Sequence, residues 1–305
     1  MNMERLETTI AGVKLKNPVM NASGTAAYGQ QMAQNIDLNG LGAFVIKSTT
    51  MEPRTGHPWP TTAETTGGWL NAVGLKNPGI EHVLKEELPW LAQNYPDLPI
   101  VGSIAGSTTD EYVEVAKKMS TAPNVKLIEV NISCPNVEKG GLAFGTDPEV
   151  VEDLTRRIKA VTKKPVLMKL TPGVTEIVPI ALAAERGGAD GLVMINTLMG
   201  MEIDLETRKP HLSNGTGGLS GSAIHPIAVR MIHQVRAATK LPIIGVGGVG
   251  SAKDALELMV AGAGAVQVGS ANYGNPKACQ SIIEDLIPAM DKYHFDRIDE
   301  FKSED

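Results

Sequence analysis

Residues 242–270, PIIGVGGVGSAKDALELMVAGAGAVQVGS, decide the fold. The stretch opens with a short apolar run, continues with the helix-period segment AKDALELMVAGAGA and closes on a second short run, AVQVGS. Apolar runs this short and this rich in Val and Ile are typical of strands that are buried on both faces. The stretch therefore predicts a strand–helix–strand unit whose two strands are parallel.

Six further apolar runs extend this pattern along the chain. They are PVMNAS, AFVIKS, PIVGSI, LIEVNI, PVLMKL and GLVMIN, which begin at Pro18, Ala43, Pro99, Leu127, Pro165 and Gly191. Helix-period segments lie between several of the runs, and one opens with Asp147 as a cap and Pro148 at the first helical position. Eight strands with intervening helices predict an α/β fold, a (β/α)8 TIM barrel that spans residues 1–305 as a single domain. The alternative is an open doubly wound sheet, which usually has fewer strands and less regular spacing.

Two connections are longer than a barrel requires. One runs from Thr49 to Leu98 and is dense in Gly, Pro and Thr, and the other runs from Thr197 to Ser222. Within the second, EIDLETRKPHL predicts a hairpin around a polar turn. Long connections in a compact domain are usually functional, so we expect inserted loops and hairpins at the C-terminal face of the barrel.

The composition excludes several classes of protein. Hydrophobic residues make up 42% and charged residues 20% of the chain, which is ordinary for a globular protein. The net charge of -6 provides no basic footprint, so no nucleic-acid partner is expected. The two cysteines cannot form a disulfide framework, and cysteine and histidine lack metal-ligand spacing, so no metal site is expected. Without an N-terminal apolar signal or a run of about 20 apolar residues, we expect a cytoplasmic protein with no membrane partner.

Polar side chains gather where the predicted strands end. In TIM barrels, the active site lies at the C-terminal ends of the strands. The polar residues at these ends are Asn21, Ser23, Lys47, Ser48, Ser103, Asn131, Lys169, Asn196 and Thr197. A lysine buried there needs an anionic partner, because an unpaired buried charge is costly. A phosphate-bearing cofactor or a carboxylate substrate would supply this partner, and the alternative is a lysine that reaches solvent.

Glycines follow the last two predicted strands. Gly247 and Gly248 are followed by the helical segment SAKDALEL, whose N-terminus would favour an anion, and Gly269 and Ser270 follow the next strand. Loops after strands seven and eight form the phosphate site of many TIM barrels. The alternative for the glycine pair is a tight turn. Because the pattern recurs at the neighbouring strand, the sequence predicts phosphate binding.

Cys134 lies in NISCPN, directly after the fourth predicted strand. A structural cysteine normally lies in apolar surroundings, whereas asparagine, serine and proline surround this one. A cysteine that acts as a base or nucleophile requires thiolate character, and the alternative is a small buried residue. No histidine ends a predicted strand and could pair with it. Cys279, in PKACQSII, is expected to belong to the core.

Taken in order, these motifs resemble the class 1 dihydroorotate dehydrogenases, over essentially the whole chain. The matching stretches include NPVMNASGT, VIKSTTMEPRTGHPWP, EVNISCPNV, VLMKLTPGV, IIGVGGV and VQVGSANY. LNAVGLKNPG, GGLAFGTDPE and NTLMGMEIDLETRKP resemble the class 1B branch, whose catalytic subunit works with an electron-transfer partner. Ser103 lies in SIAG, a form used by class 1A, where many class 1B members have NVAG.

The resemblance implies oxidation of (S)-dihydroorotate to orotate in the biosynthesis of pyrimidines (UMP). Cys134 would be the general base that removes a proton from ring carbon 5, while ring carbon 6 gives a hydride to flavin mononucleotide (FMN). The residues that would hold the flavin are Ser23, Lys47, Ser48, Ser103, Asn131, Lys169, Ile195, Gly221, Gly247, Gly248, Gly269 and Ser270. Those that would hold the substrate are Lys47, Asn71, Ala72, Val73, Gly74, Leu75, Asn131, Asn196 and Thr197.

The class 1B resemblance also implies partners. It implies a homodimer core that joins an iron–sulfur subunit in a heterotetramer, where the partner carries FAD and a [2Fe-2S] cluster and relays electrons to NAD. The chain has no four-cysteine cluster, and we expect no Rossmann-type NAD site within it. One alternative is a class 1A-type homodimer that uses fumarate. Others are a scaffold subunit without catalysis and a phosphosugar lyase or isomerase, which leaves the cysteine loop unexplained.

Overall fold

The computed structural model describes residues 3–133, 144–298 and 301, and its centre is a barrel of eight parallel strands. The strands are β1 Val19–Asn21, β2 Phe44–Val45, β3 Ile100–Ile104, β4 Val125–Asn131, β5 Val166–Leu170, β6 Gly191–Met194, β7 Ile243–Val246 and β8 Ala265–Val268. The order around the sheet is β1-β8-β7-β6-β5-β4-β3-β2, so consecutive strands are neighbours. The predicted (β/α)8 barrel is confirmed, and the open doubly wound alternative is wrong.

The seam between β1 and β2 is closed by a side chain. A parallel bridge between Met20 and Ala43 joins the two edges of the sheet. The amide of Asn21, which is fully buried, donates to the carbonyl oxygen of Val45 at 2.8 Å and accepts from its N–H at 3.0 Å. Because the asparagine amide offers both a donor and an acceptor, it substitutes for a strand partner and leaves no open edge there.

Helices cover the outside of the barrel. The longer ones are α1 Leu88–Asn94, α2 Thr109–Met119, α3 Pro148–Val161, α4 Val178–Arg186, α5 His225–Ala238, α6 Ala252–Val260 and α7 Ala278–Lys292. As predicted, Asp147 caps α3 by accepting from the backbone N–H of Glu149 at 2.9 Å. The β1–β2 connection has two 3-10 turns, Met32–Gln34 and Leu38–Gly40, in place of an α-helix. No helix within the described residues is long and apolar enough to cross a bilayer.

The two long connections form a second, antiparallel sheet. Its strands, in spatial order, are Leu198–Gly200, Gly217–Ser220, Gly68–Asn71 and Thr62–Thr65. Asn71 pairs with Gly218 in the register of this sheet. The predicted hairpin within EIDLETRKPHL is also present, as strands Ile203–Asp204 and Lys209–Pro210. Residues from both connections therefore lie together at the C-terminal face of the barrel.

The barrel interior changes from apolar to polar along the strands. Its apolar part joins the N-terminal hairpin residues Ile10 and Leu15 to one buried residue on each barrel strand: Met20, Val45, Val101, Leu127, Leu167, Val193, Ile244 and Ala265. Full burial of such a Leu, Ile or Val side chain contributes about 1.5–3 kcal/mol. Side chains two positions apart on a strand point to the same face. The next inward positions on β3, β4, β5 and β8 therefore form a buried polar layer of Ser103, Glu129, Lys169 and Gln267.

Candidate active site

A cavity of about 750 Å³ opens at the C-terminal ends of the barrel strands. Its volume lies within the range of pockets that bind small molecules and cofactors. Residues that follow barrel strands line its floor, and residues of the antiparallel sheet line one wall. The cavity lies where the active site of a TIM barrel is expected.

The cavity brings together nearly all of the residues that the sequence nominates. Those nominated for the flavin that line it are Ser23, Lys47, Ser48, Asn131, Lys169, Ile195, Gly221, Gly247, Gly248, Gly269 and Ser270. Those nominated for the substrate alone are Asn71, Ala72, Val73, Gly74, Leu75, Asn196 and Thr197. Ser103 does not line the cavity, because it lies one layer deeper. Cys134 lies outside the described residues.

Lys169 forms the floor of the cavity and already has an anionic partner. Its Nζ lies 3.4 Å from Oε1 of Glu129, which is fully buried. The same Nζ donates to Oε1 of Gln267 at 3.2 Å and to Oγ of Ser23 at 3.2 Å. The expectation that a bound ligand supplies the counter-ion of Lys169 is therefore wrong, because the barrel interior supplies it. Lys47, which also lines the cavity, lies near Gly24: a Cβ added at Gly24 would lie 3.1 Å from Nζ of Lys47.

Ser103 contributes to the cavity indirectly, through Ser48. Its Oγ donates to Oε1 of Glu129 at 3.0 Å and lies 2.8 Å from Oγ of Ser48, which lines the cavity. A hydroxyl has one proton to donate. Because Ser103 donates its proton to Glu129, Ser48 is the donor in the Ser48–Ser103 pair. Ser48 therefore presents only acceptor lone pairs to a ligand.

Two asparagines form an amide pair at the ends of β4 and β6. Nδ2 of Asn196 donates to Oδ1 of Asn131 at 3.0 Å and to Oγ of Ser133 at 2.8 Å. Oδ1 of Asn196 accepts from the N–H of Thr197 at 2.8 Å, and Oδ1 of Asn131 accepts from the N–H of Ser133 at 3.2 Å. Both amides are thus held in one orientation. In this orientation the Nδ2 group of Asn131 is the part that can donate to a ligand.

The antiparallel sheet places the predicted substrate residues on one wall. Nδ2 of Asn71 donates to the carbonyl oxygen of Gly218 at 3.2 Å. A Cβ added at Gly218 would lie 2.0 Å from Oγ1 of Thr197 and 3.4 Å from Nδ2 of Asn71, so the absence of a side chain lets these residues approach. Nδ1 of His57 lies 3.0 Å from the carbonyl oxygen of Ala72, which ties the Pro-rich loop to this wall.

The loops after β7 and β8 form a glycine cradle, which we define as Gly247, Gly248, Gly269 and Ser270. Gly248 has φ +68°, and a Cβ there would lie 2.6 Å from Cβ of His225. Nδ1 of His225 lies 2.8 Å from the carbonyl oxygen of Gly247, a contact in which Nδ1 carries the proton and fixes the loop. Within the described part of the chain, the backbone N–H groups of Gly248, Gly269 and Ser270 have no hydrogen-bond partner. Such inward N–H groups suit a phosphate.

The N-terminus of α6 is capped by side chains of its own first turn. Oδ2 of Asp254 accepts from the N–H of Gly250 at 3.1 Å, and Oγ of Ser251 accepts from the N–H of Asp254 at 3.2 Å. Ser251 thus caps the helix, and the carboxylate of Asp254 places a negative charge at the helix end. The sequence predicted that the N-terminus of this helix would favour an anion. In this region it is the glycine cradle that suits a phosphate.

Several cavity residues have no counterpart among the predicted ones. They are Thr25, Arg54, His57, Trp69, Ser133, Ser220, Ser222, Asp254 and Tyr273. Trp69 and Tyr273 pack edge-to-face with ring centroids 5.6 Å apart. Arg54 and His57 had a usable signal, because MEPRTGHPWP lies in the long connection from Thr49 to Leu98 that is dense in Gly, Pro and Thr. Trp69 and Tyr273 carried no signal, since their approach depends on the tertiary structure.

Cys279 belongs to the core, as predicted. Its side chain is fully buried on α7, and burial raises the pKa of its thiol to about 12. Its Sγ donates to Oδ1 of Asn272 at 3.5 Å. A thiol this strongly protonated is a poor nucleophile. Among the described residues, no three His, Cys, Asp or Glu side chains lie close enough to hold a metal ion.

Comparison with known proteins places this chain in a family. Residues 5–290 match the family model described as dihydroorotate dehydrogenase. The chain is 87% identical over 303 residues to a putative dihydroorotate dehydrogenase A (fumarate) of Pediococcus pentosaceus, covering 99% of this chain and 100% of that protein.

Two further relatives differ in the electron acceptor that their names give. One is the dihydroorotate dehydrogenase A (fumarate) of Lactiplantibacillus plantarum, 69% identical over 95% of each chain. The other is the dihydroorotate dehydrogenase B (NAD(+)), catalytic subunit, of Anoxybacillus flavithermus, 57% identical over 98% of this chain and 95% of that protein. Because a family model covers most of the chain and these relatives span nearly its full length, the chain belongs to the dihydroorotate dehydrogenase family.

Proposed function

We propose that this chain oxidises (S)-dihydroorotate to orotate in pyrimidine biosynthesis, with FMN as its bound cofactor. The observation that carries the proposal is that one cavity contains three features: the glycine cradle, a cationic floor at Lys169 and the amide pair of Asn131 and Asn196. FMN would supply the acceptor for the hydride that leaves the substrate. A phosphosugar lyase or isomerase would use the cradle but leaves the cysteine loop unexplained.

The described residues fit a flavin mononucleotide. The cradle offers N–H groups without partners to the phosphate, and a side chain at Gly248 would collide with His225. At the floor, Lys169 offers a positive charge and Ser48 offers an acceptor, which match a ring system with both carbonyl oxygens and an imide N–H. The remaining proposed flavin contacts are Ser23, Lys47, Asn131, Ile195 and Gly221, with Ser103 acting through Ser48.

The substrate would bind between Lys47 and the amide pair of Asn131 and Asn196. Dihydroorotate carries a carboxylate, for which the ammonium group of Lys47 is the proposed partner, and a ring with N–H donors and carbonyl acceptors. Asn131 presents amide donors, because its Oδ1 is occupied by Asn196 and Ser133. The remaining proposed contacts are Asn71, Ala72, Val73, Gly74, Leu75, Asn196 and Thr197.

Cys134 is the proposed general base. It follows Ser133, which lines the cavity and is held by Asn196 at the end of β4. A thiolate at this position would take the proton from ring carbon 5 of dihydroorotate as the hydride leaves ring carbon 6. Cys279, which is buried on α7 with a raised pKa, cannot substitute for it.

We infer that the electron acceptor is fumarate and that the chain works as a homodimer. This is the first route to test. The names of the relatives that are 87% and 69% identical support it. Fumarate also carries carboxylates, which suit the same cationic cavity. The NAD route, through a partner subunit with FAD and a [2Fe-2S] cluster in a heterotetramer, stays a prediction that rests on the class 1B motifs and on the 57% identical relative.

The deciding experiment uses the purified chain without any partner. Anaerobic turnover of dihydroorotate with fumarate, followed by the appearance of orotate, is expected if the fumarate route is right. Absence of fumarate turnover, together with NAD reduction that requires a co-purified iron–sulfur flavoprotein, would establish the NAD route instead. Purified protein that binds FMN but never forms orotate, with any acceptor or dye, would support a scaffold and refute the proposed activity.

A further inference from the structure

The polar layer beneath the cavity contains an acid that the sequence-based account does not use. Glu129 is fully buried inside the barrel, as are Ser103 and Gln267, and Lys169 is only 4% exposed. Among these four described residues, Lys169 alone lines the cavity. Glu129 therefore acts on a ligand through its neighbours, since it does not reach the ligand itself.

Both carboxylate oxygens of Glu129 have partners inside the barrel. Oε1 accepts from Ser103 at 3.0 Å and faces Nζ of Lys169 at 3.4 Å, while Oε2 accepts from Nε2 of Gln267 at 2.7 Å. Three donors converge on one carboxyl group, so both of its oxygens are engaged as acceptors. Gln267 strengthens the pairing, because its other end, Oε1, accepts from Lys169 at 3.2 Å. Each group in the layer has a partner of opposite hydrogen-bonding character.

The three N–H bonds of Lys169 point at three acceptors, Glu129, Gln267 and Ser23. Two of these acceptors lie in the layer and hold the ammonium group from below, and Ser23 lies at the cavity. An ammonium group this deeply buried loses its hydration and keeps its proton only when a counter-ion compensates. Glu129 is the carboxylate within ion-pair distance of Lys169 among the described residues.

We propose that Glu129 is a positioning residue that keeps Lys169 protonated at the floor of the cavity and, through Ser103, makes Ser48 a hydrogen-bond acceptor towards the cavity. The proposal rests on the proposed function for the identity of the ligand, FMN, but its two effects are properties of the ligand-free chain. One buried carboxylate thus sets a cation and an acceptor side by side at the cavity floor.

The test measures how readily Lys169 loses its proton. Only a neutral amine is acetylated by acetic anhydride, so the acetylation rate of Lys169, read by mass spectrometry on the ligand-free chain, reports how firmly it holds its proton. Lys85, whose side chain is 82% exposed, serves as the internal standard in the same molecule. At fixed pH, loss of a neighbouring opposite charge is expected to increase the neutral fraction of a lysine about 10- to 1,000-fold.

Three variants separate charge from shape. Glu129→Gln keeps the shape and removes the charge, and it should accelerate acetylation of Lys169, relative to Lys85, at least about tenfold. Glu129→Asp keeps the charge and should restore a rate within about threefold of wild type. Ser103→Ala removes one donor without changing the charge, and the rate should again stay near wild type. An unchanged rate in folded Glu129→Gln would overturn the proposal.

A second variant covers the case in which Glu129→Gln does not fold. The proposal then predicts that the double variant Glu129→Gln, Lys169→Met does fold, because no charge remains unpaired in the barrel. A double variant that is as unfolded as the single one would overturn the proposal, since the defect would then lie in the shape of the layer.

The FMN measurement tests the link to the ligand. Fluorescence titration with FMN between about pH 6 and 9 should show an additional loss of affinity with rising pH in Glu129→Gln that is absent in wild type and in Glu129→Asp. Identical profiles in all three would overturn the part of the proposal that concerns the ligand. Wild-type chain that does not bind FMN would refute the proposed function, while the acetylation rates would still decide the role of Glu129.

Discussion

Asn196 donates to Oδ1 of Asn131 at 3.0 Å and so joins the ends of β4 and β6 across the intervening strand β5. The backbone N–H of Asn196 also donates to the carbonyl oxygen of Leu170 at the end of β5, at 2.9 Å. Three neighbouring strand ends are thereby connected. The orientation of the Asn131 amide, and hence which of its atoms faces a substrate, depends on Asn196.

This dependence predicts strong coupling between the two asparagines. Asn131→Ala and Asn196→Ala should each weaken orotate binding to the flavin-loaded chain by about 3- to 10-fold, the loss of one hydrogen bond. The double variant should lose little more, giving a coupling energy of about 0.6–1.4 kcal/mol in a double-mutant cycle, as large as the loss in one single variant. Asn214→Ala, at an exposed position, is the control and should bind as wild type. Additive effects of the two variants would contradict the dependence.

Gly248 should tolerate no side chain. Gly248→Ala places a Cβ 2.6 Å from Cβ of His225 at φ +68°, so the cradle must shift. We expect the dissociation constant of FMN to rise at least about tenfold, which corresponds to 1.4 kcal/mol. Gly250→Ala is the matched control in the same loop, because a Cβ there would approach nothing closer than Oδ2 of Asp254 at 3.7 Å. Equal FMN affinity in the two variants would argue against the cradle as the phosphate site.

Native thiol labelling should leave Cys279 unmodified. Burial raises the pKa of Cys279 to about 12, so at about pH 8 iodoacetamide should not label it in the native chain but should label it after denaturation. The unfolded thiol of Cys279 ionises near its ordinary value of 9.0 but the folded thiol near 12, so the free energy of unfolding falls as pH rises through this window. Peptide mapping that finds Cys279 labelled in the native chain would contradict the burial.

The barrel seam should depend on Asn21. Asn21→Leu keeps the approximate volume but leaves the N–H and C=O of Val45 without this partner, at about 1–3 kcal/mol for each group. The free energy of unfolding, from urea denaturation, should fall by about 2–6 kcal/mol. Asn94→Leu, on the exposed end of α1, should stay within about 0.5 kcal/mol of wild type. A similarly small effect at Asn21 would show that the seam closes without its amide.

Much of the fold could be predicted because strands buried on both faces leave short apolar runs. All eight runs became barrel strands, and the Asp147–Pro148 cap began α3 as expected. The missing helix between β1 and β2 had no warning in the sequence, since a crossover of that length can form turns or a helix. Asn21 looked like a strand-end polar residue, and its role in the seam became visible only when β2 was in place.

The part of the candidate site that could be predicted consists of residues at the ends of strands. Glu129 was missed because LIEVNI reads as an apolar strand with a single acid, and no local pattern says that this acid faces Lys169, Gln267 and Ser103 inside the barrel. Sequence periodicity gives the face of a strand on which a residue lies, but the partners on neighbouring strands follow from the register of the barrel.

The proposed base gives a kinetic prediction. Cys134→Ala should keep FMN and orotate binding, because neither the cradle nor the asparagine pair changes, while flavin reduction by dihydroorotate falls by about 10²–10⁴. Cys134→Ser should retain a little activity that is shifted to higher pH, since a hydroxyl is a poorer base. Stopped-flow bleaching across pH is the measurement. An alanine variant within about threefold of wild type would assign the proton to another group.

The central claim, that this chain transfers a hydride from dihydroorotate to its bound flavin, is tested most directly by one anaerobic titration. Purified chain loaded with FMN is mixed with (S)-dihydroorotate without any other acceptor, and the visible absorbance of the flavin and the formation of orotate are followed together. The account predicts that the yellow colour bleaches and that orotate appears in an amount equal to the flavin. Flavin that stays bound and oxidised, with no orotate formed, would contradict it.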